Sequence, residues 1–477
     1  MTSASTKVLQ RVIKLWDAKE LDQAMDTLKP EWKEHADDPN CIAAAGHIFE
    51  ASGNIPLAYS LFKLCTMLDA SESSHWVNFG RCAEDLWRSQ EAMRAYTRAM
   101  SICSRDETKV NLLGNLAALH IDLGEYEKAA DYARKALKID PDKKGAKSNL
   151  GFTQLALGNW SEGWANYANN IGTPDRRLAK YCDPHEPLWD GTPGQAVVVY
   201  GEQGLGDEVV FSSMVDDLTR ICRKVIIDCD PRLENLFKRS FPLATVYGTR
   251  GKQRLAWAAD DQNIDASIPA GQVGQFVRQS MSDCPQQPWL VPDPFRLGMW
   301  RDQWKKIGKP VIGIAWSGGI RKTGAKFRYA GLDQWSSLLE IDAHFVSLEY
   351  KPGEQHPKVH EYPFATRTQD YDDTAALIAS LDLVVSVPTS VVHLAGAVGT
   401  KVIAMHGPMD CWKYKAGIPF HLADHVQWQG DWKKTIDAAT ERVKQCLEYS
   451  SDATPGNPLP TTSLPIASSD MPLRRSA

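Results

Sequence analysis

Ala196-Val197-Val198-Val199-Tyr200-Gly201-Glu202-Gln203-Gly204-Leu205-Gly206-Asp207-Glu208 is the stretch on which the reading of this chain turns. An apolar run of strand length ends in a glycine-spaced turn, and a helix-like segment follows over 209–220. Strand, turn and helix start form the unit of an open α/β sheet, which gathers its ligands beyond the carboxyl ends of its strands. Glycines 201, 204 and 206 allow φ > 0 or a close backbone approach to a ligand, with the first helix amides exposed. Asp207 stands where a carboxylate caps a helix. Capping alone explains an aspartate there, so its case for chemistry depends on the rest of the chain.

Outward from this unit, short apolar runs alternate with helical patterns: 225–228 and 245–247, then 311–316, 345–348, 383–387 and 401–405. The alternation predicts parallel sheets covered by helices. A proline-rich break over 285–294 divides them into two α/β domains, 173–294 and 295–450, with a cleft between. The stretch 383–400 lacks formal charge, but Pro388, His393, Gly396 and Gly399 interrupt it. It is expected to be a buried strand and helix rather than a membrane span.

The first 172 residues read differently. Ala58, Ala92, Ala129 and Gly163 recur at one position, with Phe62, Tyr96, Ala133 and Tyr167 four residues later. Gly53-Asn54, Gly124-Glu125 and Gly158-Asn159 mark turns between paired helices. A period of about 34 residues resembles the tetratricopeptide repeat, in which stacked helix pairs bury faces that no single repeat could bury. Residues 8–38 read as a degenerate repeat or cap, and Trp76, Phe79, Tyr96 and Tyr132 as packing groups. Residues 173–187 read as a linker, and the Ser/Thr/Pro-rich 451–477 as a disordered tail.

The 477 residues carry a formal charge of −5, so nucleic acid is not the expected partner. Ten cysteines without C-x-x-C spacing predict free thiols in a reducing compartment. The N-terminal residues show no apolar signal core, and a cytoplasmic protein is expected.

Two further segments offer chemistry. After the run 311–316, which ends at Trp316, comes Ser317-Gly318-Gly319-Ile320-Arg321-Lys322-Thr323-Gly324-Ala325-Lys326-Phe327-Arg328. Its four cations could hold a diphosphate and stabilise it as a leaving group, or could be a solvated basic loop. In Ser386-Val387-Pro388-Thr389-Ser390-Val391-Val392-His393, Thr389 or Ser390 would cap a helix whose free amides form a second phosphate site. His393 would face ligand or be a satisfied buried histidine. Asp228-Cys229-Asp230 matches the D-x-D of metal-dependent glycosyltransferases, yet its place before Pro231 favours a turn and cap.

In order, Gly158–Trp164 with Tyr167, Trp189-Asp190-Gly191, Glu202–Asp207, Trp316-Ser317-Gly318, 373–378 and His393–Ala397 resemble bacterial proteins in which tetratricopeptide repeats precede a glycosyltransferase. That domain is related to glycosyltransferase family 9, the heptosyltransferase-like group. The resemblance covers roughly 40–445 and implies a GT-B fold of two Rossmann-like domains, the first binding acceptor and the second nucleotide-sugar. It implies Asp207 as general base. Gly204, Gly206, Trp316, Ser317, Gly318, Lys322, Lys326, Arg328, Thr389, Ser390 and His393 would bind donor and diphosphate, with Glu349 at the ribose. An inverting transfer without metal or other cofactor follows, nucleotide-sugar being the co-substrate and a macromolecule, preferably a protein, the acceptor held by the repeats. Two departures stand out. Pro388 replaces the family's aspartate facing the donor sugar, and Glu208 sets a like charge beside Asp207 that could shift its pKa. A glycan, lipid or modified nucleic acid acceptor would leave the same catalytic signature, and a non-catalytic scaffold is the competing class.

Overall fold

The computed structural model describes residues 3–170, 187–202, 204–250, 257, 263–285, 287–319, 325–408 and 423–451. The expected linker over 173–186, Gln203, Lys322 and the tail from 452 onward lie outside the described residues, as does the side chain of Lys326.

Among these residues the chain begins with antiparallel helix pairs: α1 (Ser3–Asp17) and α2 (Leu21–Glu34), α3 (Pro39–Ala51) and α4 (Ile55–Leu68), α5 (Ser73–Asp85) and α6 (Ser89–Ile102). They continue with α7 (Asp106–Asp122) and α8 (Tyr126–Ile139), then α9 (Lys144–Ala156) and α10 (Trp160–Tyr167). Size complementarity fixes the pairing. A Cβ on Gly46 would lie 2.8 Å from Phe62, and one on Gly80 would lie 2.6 Å from Tyr96. Gly151 is pressed just as closely against Tyr167. In the α7–α8 pair alanines hold both of these positions, and Ala117 and Ala133 share one small cluster instead.

The turns inside the pairs share one geometry. Gly53, Gly124 and Gly158 take φ of 87°, 71° and 81°, the left-handed helix end at which glycine has no Cβ penalty. Lys19 and Trp87 occupy the same region at 62° and 58°. A side chain there costs about 1–2 kcal/mol.

The helical arm runs into the first α/β domain through one continuous core that includes Tyr126, Trp164, Tyr167, Trp189 and Val197. Trp164 is fully buried and donates its Nε1–H to the Arg278 carbonyl at 2.8 Å. Trp189 meets Phe276 at 4.7 Å with the rings tilted by 59°. The tryptophans of the repeat end and of Trp189-Asp190-Gly191 therefore weld arm to sheet.

The first sheet is parallel, in the order β3-β2-β1-β4, with β1 (Ala196–Tyr200), β2 (Lys224–Asp228), β3 (Thr245–Tyr247) and β4 (Ala266–Pro269). The second is parallel, in the order β10-β9-β8-β5-β6-β7. Its strands are β5 (Val311–Ala315), β6 (His344–Ser347), β7 (Val359–Glu361), β8 (Leu383–Ser386), β9 (Val402–Met405) and β10 (Asp424–Val426). All seven expected strands are present. Apolar runs missed β4, β7 and β10: β7 and β10 are three-residue edge strands, half open to solvent, and β4 is a four-residue run ended by proline. Segment 383–400 is a strand and helix, and no described helix is long and apolar enough to cross a membrane.

The proline-rich break crosses between the sheets. Trp289 and Leu290 donate their amides to the Ala397 carbonyl, and the helix Pro294–Lys305, capped by Asp293, packs on the helix Tyr371–Ala379. An ion pair clasps the domains here. Arg239, from the helix Glu234–Ser240, meets the buried Asp372 at 2.8 Å, and within the second domain Arg296 meets Asp370 at 3.1 Å and Asp373 at 2.9 Å. Burial pushes the Asp372 carboxyl up against the pull of Arg239.

Candidate active site

Three loops at the carboxyl ends of strands converge where the two sheets face each other. Beyond β1, α11 (Leu205–Phe211) begins with Asp207 and Glu208 in its first turn. Asp207 is half-buried, and its Oδ2 accepts the Gly204 N–H at 3.1 Å. The cap expected of this aspartate is thus present. Glycines 201, 204 and 206 do not use the left-handed region, contrary to one expectation, and two of them serve close approach to protein. A Cβ on Gly201 would lie 2.6 Å from the Glu208 carboxylate. One on Gly206 would lie 3.1 Å from His393 Cδ2 and 3.2 Å from Ser390 Cα, so the glycine turn of the first domain rests on a helix start of the second.

Glu208 does not face Asp207's surroundings. It is buried, forms an ion pair with Arg250 and accepts the Asp230 N–H at 2.9 Å. The like charge expected to perturb Asp207 is met by a guanidinium on the far side of α11. Glu202, also buried, ties the end of β1 to the loop after β4 by accepting the Gly271 N–H at 2.6 Å.

In the second domain, Thr389 caps the helix Ser390–Val398 by accepting the Val391 N–H at 3.2 Å. A Cβ on Gly318 would overlap the Thr389 methyl, which brings the Trp316-Ser317-Gly318 turn and the 389–393 helix start into direct contact. His393 is buried, and its pKa is pushed down to about 3 by burial first, then by the charges of Arg328 and His425. It is neutral at pH 7 and sits between the two domains. Arg328 is therefore near this helix start.

Glu349, expected at the ribose, is bonded here to the turn after β5. One oxygen accepts the amides of Trp316 and Ser317, each at 2.8 Å, and the other accepts the Ser317 hydroxyl. It is a buried strut for the β5 turn, and burial raises its pKa. Asp228-Cys229-Asp230 is a turn and cap: Asp230 accepts the Arg232 N–H at 3.0 Å and pairs with its guanidinium at 2.9 Å, while Asp228 accepts the Thr249 hydroxyl at 2.6 Å. Among the described residues no group of His, Cys, Asp or Glu is arranged to hold a metal.

Two family models match this chain, a tetratricopeptide repeat over residues 110–143 and glycosyltransferase family 9 (heptosyltransferase) over 364–446. The chain carries a tetratricopeptide repeat and a glycosyltransferase family 9 domain. The matched glycosyltransferase segment contains the Thr389–His393 helix start but not Asp207. Protein FlbA of Caulobacter vibrioides is 28% identical over 329 residues, 61% of this chain and 54% of that protein. The chain thus spans about half the length of the curated relative it matches. Among solved structures, MamA is 19% identical with a TM-score of 0.29, covering 33% of this chain and 90% of its own. PilF of Pseudomonas aeruginosa is 14% identical with a TM-score of 0.33, covering 36% and 78%.

In this glycosyltransferase family domain, sequence reasoning passed over Tyr371. Its hydroxyl donates to Ser390 Oγ at 3.1 Å, and burial holds its pKa up at about 12. A tyrosine at a helix start reads as packing, and only the fold shows that it braces the helix start beside Gly206. The clasp of Arg239, Arg296 and the 370–373 aspartates was equally invisible, because its members lie far apart in the chain.

Proposed function

We propose that the chain is an inverting glycosyltransferase that moves a sugar from a nucleotide-sugar to a hydroxyl of a macromolecular acceptor, a protein held by the repeat arm. One observation carries this reading: the turn bearing Asp207 rests, through Gly206, on the helix start Thr389–His393. A carboxylate that can take a proton and a helix end that can hold a phosphate border the same cleft. The acceptor hydroxyl gives its proton to Asp207 as its oxygen attacks the anomeric carbon, opposite the departing nucleoside diphosphate. The bond from that carbon to the diphosphate breaks, and configuration inverts. The positive end of the helix Ser390–Val398, Arg328 and the lysines 322 and 326 receive the leaving charge, so no step calls for a metal ion. The unpartnered charge of a diphosphate suits a helix end that bears no acidic residue in its first turn. Neutral His393 adds no repulsion to a sugar and no second base.

The scaffold reading draws on the bond from Gly204 to Asp207, since a capping aspartate needs no reaction. Replacing Asp207 by Asn separates the two. Transfer from a panel of nucleotide-sugars should disappear while nucleoside diphosphate binding persists; undiminished transfer would remove the base assignment, and absence of any diphosphate binding in the parent chain would favour the scaffold.

A further inference from the structure

The four complete helix pairs after α2 share a turn, and one of them breaks its rule. At Gly53, Gly124 and Gly158 the left-handed residue donates to a carbonyl three residues back, and its successor to one five back. Trp87 makes the same two bonds, to Glu84 at 2.7 Å and, from Arg88, to Ala83 at 2.8 Å. The turn itself has no need of an indole, and glycine would form it without strain. Lys19 shares the backbone geometry but points an exposed side chain into solvent. Arg88 folds back over the Tyr59 ring at 4.6 Å, whereas Trp87 makes an outward contact. That contact is with Phe327 of the second α/β domain, edge-on at 4.6 Å and 69°.

Phe327 lies in the short helical turn Ala325–Arg328. On its other side its carbonyl abuts Gly407, where any Cβ would overlap it, and Gly407 follows directly on β9. The turn is thus held between the repeat arm and the second sheet, with Arg328 next in the chain and close enough to His393 for its charge to be felt there. Backbone strain kept at a position where glycine is the rule in sibling repeats marks a selected contact.

We propose that Trp87 is a positioning residue: through Phe327 it fixes the 325–328 turn and hence Arg328, so that the repeat arm and the donor-binding loop are mechanically coupled. The donor role of that loop rests on the function proposed above. By linkage, a macromolecule that loads the arm and shifts the α5–α6 turn changes donor affinity, and donor changes its affinity by the same factor.

The test compares Trp87→Gly, Trp87→Phe and Phe327→Ala in the full chain. Three readouts are used: melting temperature, amide hydrogen exchange over 325–328, and calorimetric titration with ADP, GDP, CDP, UDP and dTDP. Trp87→Gly relieves the strained backbone, so the arm should melt at the same temperature or higher. Exchange over 325–328 should nevertheless quicken about tenfold, and binding of the diphosphate that the parent takes should weaken about three- to tenfold, the size of an aromatic pair. Trp87→Phe should restore most of both, and the double variant should be no worse than Phe327→Ala. A purely structural Trp87 predicts the reverse, with altered melting and unchanged exchange, and unchanged exchange overturns the inference whatever binding does. Quicker exchange with undiminished diphosphate binding overturns the coupling. If the parent chain binds none of the five, the donor-site reading falls, while exchange still decides whether the arm holds the turn.

Discussion

At the end of β1 the chain enters α11 through three glycines and sets two consecutive carboxylates on the first helical turn. At the end of β8 it enters the helix Ser390–Val398 through Pro388 and Thr389, with no acidic residue there. Both are strand-to-helix turns at the carboxyl edge of a parallel sheet, and they touch through Gly206. The difference teaches how one architecture yields opposite chemistry. A carboxylate answers the positive helix end in the first domain, whereas a hydroxyl cap in the second leaves the helix dipole open to an anion. Within the first turn a further division appears. Successive helical residues diverge by about 100°, which sends Glu208 into the core beside Arg250 and leaves Asp207 half-buried.

The largest effect that could break this comparison is on Asp207. Asp207→Asn should lower the transfer rate by about 10²–10⁴-fold, with diphosphate affinity within about twofold; calorimetry beside an activity assay distinguishes the two quantities. Acidification tests the second turn. His393 and His406 are buried and His425 half-buried, with pKa values lowered to about 3, 4 and 4. An unfolded histidine takes a proton as pH falls through about 6.5, and the folded ones do so only near 4 or below. Stability should be flat above pH 7 and fall as pH drops from 6.5 toward 4, each histidine contributing up to about 1.4 kcal/mol per pH unit. Denaturant midpoints across that range measure it, and a flat profile would mean that these imidazoles are not buried as seen.

Glu208→Ala removes the buried carboxylate paired with Arg250 and should destabilise the fold by about 3 kcal/mol, read by chemical denaturation. Its neighbour Asp207→Ala, which removes the bond to the Gly204 N–H, should cost less, about 1 kcal/mol. If the two stability effects were equal, the division of labour between adjacent carboxylates would be wrong. Smallest is Arg328→Ala, expected to weaken diphosphate binding about tenfold, the scale of one charge-assisted hydrogen bond, with no change in melting temperature.

Much of the fold was legible because its signals are local. A repeat of small and aromatic residues specifies stacked helix pairs, and apolar runs bounded by glycine and proline specify buried parallel strands. Asp207, Thr389 and Gly318 were legible as well, since glycine turns and hydroxyl caps carry their geometry in a few adjacent residues. Glu349 was legible as a strand-end carboxylate, but its bonds to the β5 turn were not, because they join segments 32 to 33 residues apart. Tyr371, Arg250 and the Arg239–Asp372 clasp were not legible, as each depends on a partner from another segment.

Sequence alone therefore determined the order of domains, the strand ends that could carry chemistry and the residue types available there. Tertiary structure alone decided that Gly206 meets His393, that Glu208 is neutralised by Arg250 and that Trp87 reaches Phe327. The reason is physical. Helix caps, turns and periodic faces are settled by interactions within a few residues, whereas the environment of a charge and the neighbour of a ring depend on which distant surfaces pack together.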